Sequence, residues 1–230
     1  MSTYGQYCPM ARAVEILGDR WTLLIVRDLF CGAEHFNQLE RGLPGISRAL
    51  LSERLRRLEK YGILTRQPAP AGRKSTYRLT QAGLDLFPVI ETLTQWGARW
   101  AFGEPRPDEL KPLVLMGWMR GRVCHENLPG RRVVVEFRFP ETRPRDYWMV
   151  LNPDDVSICL THPGFDVDLY VTTDLASLYK VWVGRMPFSA ALANDQIQID
   201  ATPEYARAFP TWFALSPIAG IVREEMSRGS

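Results

Sequence analysis

Ser47-Arg48-Ala49-Leu50-Leu51-Ser52-Glu53-Arg54-Leu55-Arg56-Arg57-Leu58-Glu59-Lys60-Tyr61-Gly62 is the stretch on which the fold turns. Leu51, Leu55, Leu58 and Gly62 recur at steps of four, three and four residues, which brings them onto one face of a helix. Ser47 is a residue type that caps a helix start. Leu50 stands where a full capping box would carry Glu or Gln. Gly62 supplies a left-handed stop. Away from the leucine seam lie Arg48, Ser52 and Arg56, with Ala49 and Glu53 beside them. A helix that enters the major groove presents its N-terminal residues to base edges. Arg reads guanine there through two parallel hydrogen bonds. Ser47, Arg48, Ala49, Ser52 and Arg56 are therefore the candidate contacts to a duplex. Arg54 and Arg57, flanking the seam, are expected to meet phosphates if they meet the duplex at all. An amphipathic surface helix with no partner has the same pattern, so the neighbouring segments decide.

Upstream, residues 9–17 begin with Pro at a first-turn position and stop at Gly18. Asp19 is expected to cap a second helix over 20–30, and a short third helix over 35–41 ends at Gly42. Downstream, residues 63–67 and 75–79 read as two extended runs. The Pro- and Gly-rich stretch between them makes a hairpin with Arg73 and Lys74 at its tip. Cations at that place are suited to the sugar-phosphate backbone, which positions a protein without specifying sequence. Thr80 then caps a long helix over 81–102, which Pro88 should bend or divide.

Charge follows the same division. The chain has 230 residues and a net charge of +2, but residues 41–78 hold 10 basic and 2 acidic side chains. A local basic stretch in a nearly neutral chain is a footprint for a polyanion. Cys8, Cys31, Cys124 and Cys159 lack paired metal-ligand spacing and fit a reduced compartment. The polar opening residues and the absence of a long apolar run point to a cytoplasmic protein with no membrane partner.

The order of these features strongly resembles the HxlR-type winged helix-turn-helix regulators, relatives of the MarR group. The matching residues are Cys8-Pro9, Gly18-Asp19-Arg20-Trp21, Phe36-Asn37-Gln38-Leu39, Ile46-Ser47 and the run from Leu51 to Glu59. Gly62-Ile63-Leu64, Tyr77-Arg78-Leu79-Thr80, Gly83 and Trp96 continue the match. The resemblance implies a transcription regulator, a repressor by family default, that binds double-stranded DNA as a homodimer on two half-sites about one helical turn apart. It implies a dimer interface on the first and last helices of the domain. Leu84, Phe87, Ile90, Leu93 and Trp96 recur at helical spacing and suit either that interface or packing within one subunit. It also makes Cys8, at a helix N-terminus where a thiolate is stabilised, a redox-sensing candidate. An inert, half-buried cysteine is the alternative.

Residues 1–103 are thus read as the DNA-binding and dimerisation domain, and 104–112 as a Pro-rich linker. Residues 113–230 are read as an α+β domain with a mixed or antiparallel sheet covered by helices, making the whole chain α+β. Its expected elements are a helix over 113–125 and strands over 132–139, 147–151, 156–161 and 167–172. Helices over 175–183 and 188–194, a strand over 196–200 and a helix over 203–213 complete it. Leu169 to Leu175, Gly184-Arg185-Met186-Pro187, Ala190-Ala191-Leu192 and Gln196-Ile197-Gln198-Ile199 resemble the C-terminal half of the sterol-carrier-type lipid-binding fold. That weaker resemblance implies an apolar cavity for a small-molecule effector. Trp118, Trp148, Tyr179, Trp182, Phe188 and Trp212 are candidate pocket residues, or else core.

His35, His125 and His162 lack metal spacing, and the chain carries no phosphate loop, dinucleotide fingerprint or nucleophile elbow. No cofactor and no enzymatic activity are expected. A different class remains open: a carrier of lipids or other hydrophobic ligands whose first domain is only an interaction module. The cationic set Arg48, Arg56, Arg73 and Lys74 separates the two readings, because a carrier has no need of it.

Overall fold

Cys8 starts the first helix from an extended conformation and Pro9 begins it, so α1 spans Pro9–Leu17. This computed structural model describes residues 4–68, 75–101, 103–106 and 108–228. The chain divides into two units, residues 1–94 and 95–230. The expected Asp19 cap is not made. The second helix, α2 (Thr22–Phe30), starts from Trp21 in the left-handed region at φ 80°, and no side chain caps it among the described residues. A left-handed conformation costs a non-glycine residue about 1–2 kcal/mol, and Trp21 offsets it by packing on the core. Asp19 is turned elsewhere. Its carboxylate takes Arg57 at 2.5 Å and Arg54 at 3.5 Å, tying the turn before α2 to the fourth helix.

Helix α3 spans Phe36–Gly42, and α4 spans Arg48–Lys60. Gln38 reaches back from α3 to accept the amides of Glu34 and His35 at 2.9 and 2.8 Å. Ser47 caps α4 by accepting the Leu50 amide at 3.2 Å, and Gly62 ends it at φ +68°. Leu51, Leu55 and Leu58 are buried against Ile25 and Val26 of α2, Leu39 of α3 and Leu43. The hairpin follows as β1 (Leu64–Gln67) and β2 (Thr76–Leu79), antiparallel with Leu64 opposite Leu79. Arg73 and Lys74 lie outside the described residues.

Thr80 closes the hairpin onto α4. Its hydroxyl is within hydrogen-bond distance of the Gly62 and Ile63 carbonyls, at 2.5 and 3.1 Å. Its oxygen accepts the Gly83 amide at 3.3 Å, capping α5 (Gln81–Leu84). The long helix expected here is indeed divided. Helix α6 spans Phe87–Trp100, with Pro88 in its first turn where no amide is needed. Gly83 is a position of close approach, since an added Cβ would stand 2.2 Å from the Ile63 carbonyl oxygen.

The second unit has a sheet layered with helices. Helix α7 spans Pro112–Arg120, shorter than expected, and a 3-10 turn at His125–Asn127 follows. The strands are β3 (Val133–Arg138), β4 (Asp146–Leu151), β5 (Val156–Cys159), β6 (Leu169–Thr173) and β7 (Ile197–Ala201). Their order is β5-β4-β3-β6-β7, with β3 and β6 parallel and the other pairs antiparallel, so the sheet is mixed. Between β6 and β7 lie α8 (Leu175–Trp182) and α9 (Phe188–Ala193). Asp174 caps α8 as expected, accepting the Ser177 amide at 2.8 Å. After β7 come α10 (Pro203–Ala208) and a 3-10 turn at Phe209–Thr211, where Pro210 cannot continue an α-helical ladder. A last helix, α11 (Ala219–Arg228), was not anticipated. Alternate residues of the strands, Val135 and Phe137 of β3 and Met149 of β4 among them, form one core with α7 and α8. No helix among the described residues is long and apolar enough to cross a membrane.

One buried charge stands out in the first unit. Asp28 of α2 pairs with Arg27 through one oxygen at 2.7 Å, while its other oxygen has no hydrogen-bond partner among the described residues. That oxygen lies where a Cβ on Gly42 would fall, at 2.3 Å. Burial pushes the Asp28 carboxyl above its ordinary range, and Arg27 only partly opposes this.

Gly83→Ala is expected to lower the stability of the first unit by about 1–3 kcal/mol in urea unfolding, and no loss would mean that this turn lies differently. For Asp28, the folded state holds its proton to higher pH than the unfolded state, so its contribution to stability falls as pH rises from the ordinary Asp range through the raised value. Wild-type stability relative to Asp28→Asn should therefore be greatest at the acid end and decline across that window. Urea titrations at a series of pH values check it, and a difference that grows with pH would refute it.

Candidate nucleic-acid interface

The seam that buries Leu51, Leu55 and Leu58 turns the opposite side of α4 outward. Arg48, Ala49, Ser52 and Arg56 line one cleft with Phe36 and Asn37 from the start of α3. Arg66, Ser75 and Tyr77 of the hairpin line the same cleft. Its volume is about 590 Å³. Four of the residues singled out from the sequence are thus brought together, and Ser47 stands at the N-cap beside them.

Arg48 is held rather than loose. Its guanidinium meets the Glu40 carboxylate at 2.5 Å and lies over the Phe36 ring, 4.8 Å from the centroid. The side chain remains 65% exposed, so one edge is restrained and the rest faces solvent. Arg56 donates to the Ser52 carbonyl at 3.3 Å, and Arg66 donates to the Ser75 hydroxyl at 3.3 Å. The cations Arg48, Arg56 and Arg66 share the cleft lining with one carboxylate, Glu59.

Arg54 and Arg57 are committed within the protein. Arg57 bridges Asp19 and the Glu15 carbonyl oxygen and lies 5.8 Å from the Tyr61 ring centroid. Arg54 pairs with Glu53 at 2.8 Å and also donates to the Arg20 carbonyl at 3.4 Å. Both are largely buried, at 19% and 15% side-chain exposure, and their engagement explains why the expected phosphate role does not suit them. Sequence reasoning missed Glu40, Phe36, Asn37 and Arg66 as neighbours of the cleft. Only the nearness of α3 to the start of α4 connects Glu40 with Arg48, and helix periodicity carries no such signal.

The other singled-out residues are dispersed. Cys8 is half-buried at the N-cap of α1, without a side-chain hydrogen bond to that helix. Trp118 and Tyr179 line one cavity. Trp182 and Trp212 are buried in the core of the second unit, and Phe188 packs against Phe209 with centroids 6.1 Å apart. The Trp212 indole nitrogen has no hydrogen-bond partner among the described residues. Trp148 alternates with the core residues Tyr147 and Met149, so it lies on the other sheet face, where it donates to Glu136 at 3.0 Å.

A family model described as HxlR-like helix-turn-helix matches residues 16–104. An uncharacterised HTH-type transcriptional regulator of Mycobacterium bovis is 47% identical over 125 residues, covering 54% of this chain and 73% of that protein. The chain belongs to the HxlR-like helix-turn-helix family. Two proteins of Bacillus subtilis extend the likeness. The uncharacterised HTH-type transcriptional regulator YvaP is 37% identical over 98 residues, covering 42% of this chain and 91% of its own. The HTH-type transcriptional regulator YodB is 37% identical over 100 residues, covering 43% and 88%. As a member of this family the chain is a DNA-binding transcriptional regulator. The cleft between α4 and the hairpin lies within the matched residues.

The two groups of arginines should separate cleanly in stability. Arg57→Ala removes charge-assisted bonds and is expected to cost about 1.5–3 kcal/mol. Arg56→Ala should stay within about 0.5 kcal/mol of wild type. Chemical unfolding of both variants decides it, and equal losses would contradict the distinction.

Proposed function

We propose that this regulator acts as a homodimer and represses transcription by occupying a two-fold-symmetric operator. Helix α4 would enter the major groove, with Ser47, Arg48, Ala49, Ser52 and Arg56 toward the bases. The hairpin would lie along the backbone through Arg66, and through Arg73 and Lys74, which are outside the described residues. The observation that carries this reading is the cleft that gathers the outward face of α4 with the hairpin under a cationic lining. The restraint of Arg48 by Glu40 and Phe36 supports it further, because a pre-positioned guanidinium loses less freedom on meeting a base.

Exposed apolar side chains support the dimer. Tyr7 and Met10 stand at the first helix, and Leu84, Val89, Leu93, Trp96 and Trp100 along α5 and α6. Ile90, one of the expected interface residues, packs instead on the core of the first unit, and Phe87 meets Phe30 edge-on at 5.3 Å. The second unit is read as a sterol-carrier-like sensor of an apolar effector. Its mixed five-stranded sheet, with α7 and α8 on the core face, supports this. Cys8 is a second candidate input, supported by its place at the start of α1 beside the proposed dimer surface.

Selection of bound sequences from a random duplex pool tests the reading. The expected product is a pair of inverted half-sites centred about 10 base pairs apart. Arg48→Ala should relax base preference at one position per half-site by about 1–3 kcal/mol. Arg66→Ala should weaken all sequences alike and reduce the salt slope by about one. No binding to any duplex at low salt would instead favour a hydrophobic-ligand carrier. Trp96→Glu should shift the species seen in sedimentation from dimer to monomer. Thiol alkylation that lowers operator affinity in wild type but not in Cys8→Ser would support the cysteine input, and equal effects would remove it.

A further inference from the structure

Between α6 and α7, residues 103–106 and 109–111 form the rim of a cavity of about 420 Å³ in the second unit. Its apolar wall is made by Val114, Leu115 and Trp118 of α7 and by Leu175 and Tyr179 of α8. This volume is ample for a drug-sized ligand, and an apolar wall with a few polar groups is the usual character of such sites. Burial holds the Tyr179 phenol above its ordinary range, so the wall carries no negative charge at neutral pH.

The charges at the rim are not equivalent. Glu104 is paired with Arg185, which also donates to the Gly103 carbonyl at 2.9 Å and so fastens the segment to the end of α8. Arg106 pairs with Glu109 at 2.8 Å and with Asp108 at 3.3 Å. Lys111 has no ion-pair partner among the described residues. It is also the N-cap residue of α7, at the positive end of the helix, where a cation is disfavoured and an anion welcome. An anion beside Lys111 would relieve both conditions.

We propose that this cavity binds an amphiphilic monocarboxylate, its apolar body against Trp118, Leu175 and Tyr179 and its carboxylate on the Lys111 ammonium. The site deepens the effector reading above and rests on it for any consequence at the operator. That consequence has a physical route. The rim is the stretch of chain that continues α6, so a ligand held between the rim and Trp118 restrains the chain leading out of that helix. The ligand favours whichever state of the protein holds the segment in place.

Calorimetric titration of the full chain with 2-naphthoate and with the neutral 2-naphthamide tests the proposal. Wild type is expected to bind the carboxylate at least tenfold more tightly than the amide. Lys111→Gln should abolish that preference while unfolding as wild type does. Trp118→Ala should weaken both probes. Hydrogen exchange across residues 103–111 should slow when 2-naphthoate is bound. Equal affinity for the two probes, an unchanged preference in Lys111→Gln, or no binding at millimolar 2-naphthoate would overturn the site. Operator affinity separates this site from the wider reading. Binding through Lys111 with no change at the operator overturns effector control and leaves the site. An apolar compound that shifts operator affinity while 2-naphthoate fails to bind overturns the site and leaves effector control.

Discussion

Burial of Leu51, Leu55 and Leu58 against α2 and α3 is the constraint on which the rest of the first unit depends. Each leucine buried is worth about 1.5–3 kcal/mol, and the three together fix the rotation of α4 about its own axis. An α-helix turns 100° per residue, so a shift of one position would bury Arg56 or Ser52 and expose leucine. The outward cleft is therefore set by what is hidden. The Asp19 clamp on Arg54 and Arg57 works to the same end from the other side. It consumes two cations that would otherwise blur the boundary between the framework of the domain and its contact face. Fixing them inside the fold leaves Arg48, Arg56 and Arg66 as the cations that line the cleft.

Much of this was legible in the sequence. The leucine spacing, the Ser47 cap, the Gly62 stop and the division of the long helix near Pro88 are local signals, and local signals are what periodicity and capping rules detect. The four cleft residues of α4 were legible for the same reason. Failures came where a side chain chose a distant partner over a near one. Asp19 has the right chemistry for capping α2, yet two arginines 35 and 38 residues away compete for its carboxylate and win. Trp21 then takes a conformation that no local rule would assign to tryptophan. Glu40 was invisible as a partner of Arg48 because the two lie on different helices.

The second unit was legible in outline and not in detail. Its strands appeared in order, since runs of β-branched and aromatic residues bounded by turn residues mark them, although burial alternates cleanly only in β6 among these three: β3 and β4 are buried along most of their length. The last helix did not, because residues 219–228 mix apolar and charged side chains without a cap signal. Its first turn is recognisable only through packing, with Ile218 and Val222 against Ala98 near the end of α6. The aromatic residues were the least informative. Tryptophan suits a core, a cavity wall or a sheet face equally well, and the six candidates occupy all three settings.

The parallel pairing of β3 with β6 carries a consequence for the order in which the chain matures. Val135 pairs with Leu169, and nothing nearer in sequence completes that side of the central strand. Such a pairing must wait until β6 has been synthesised, by which time the whole of the first unit, residues 1–94, has already been made. Non-local pairing of this kind is slow, and domains fold largely as units from the N-terminal end during synthesis. The nucleic-acid-binding unit should thus reach its final form on the ribosome while the second unit still lacks its central sheet. A nascent or truncated chain would then carry a folded helix-turn-helix unit before the sheet of the second unit has formed.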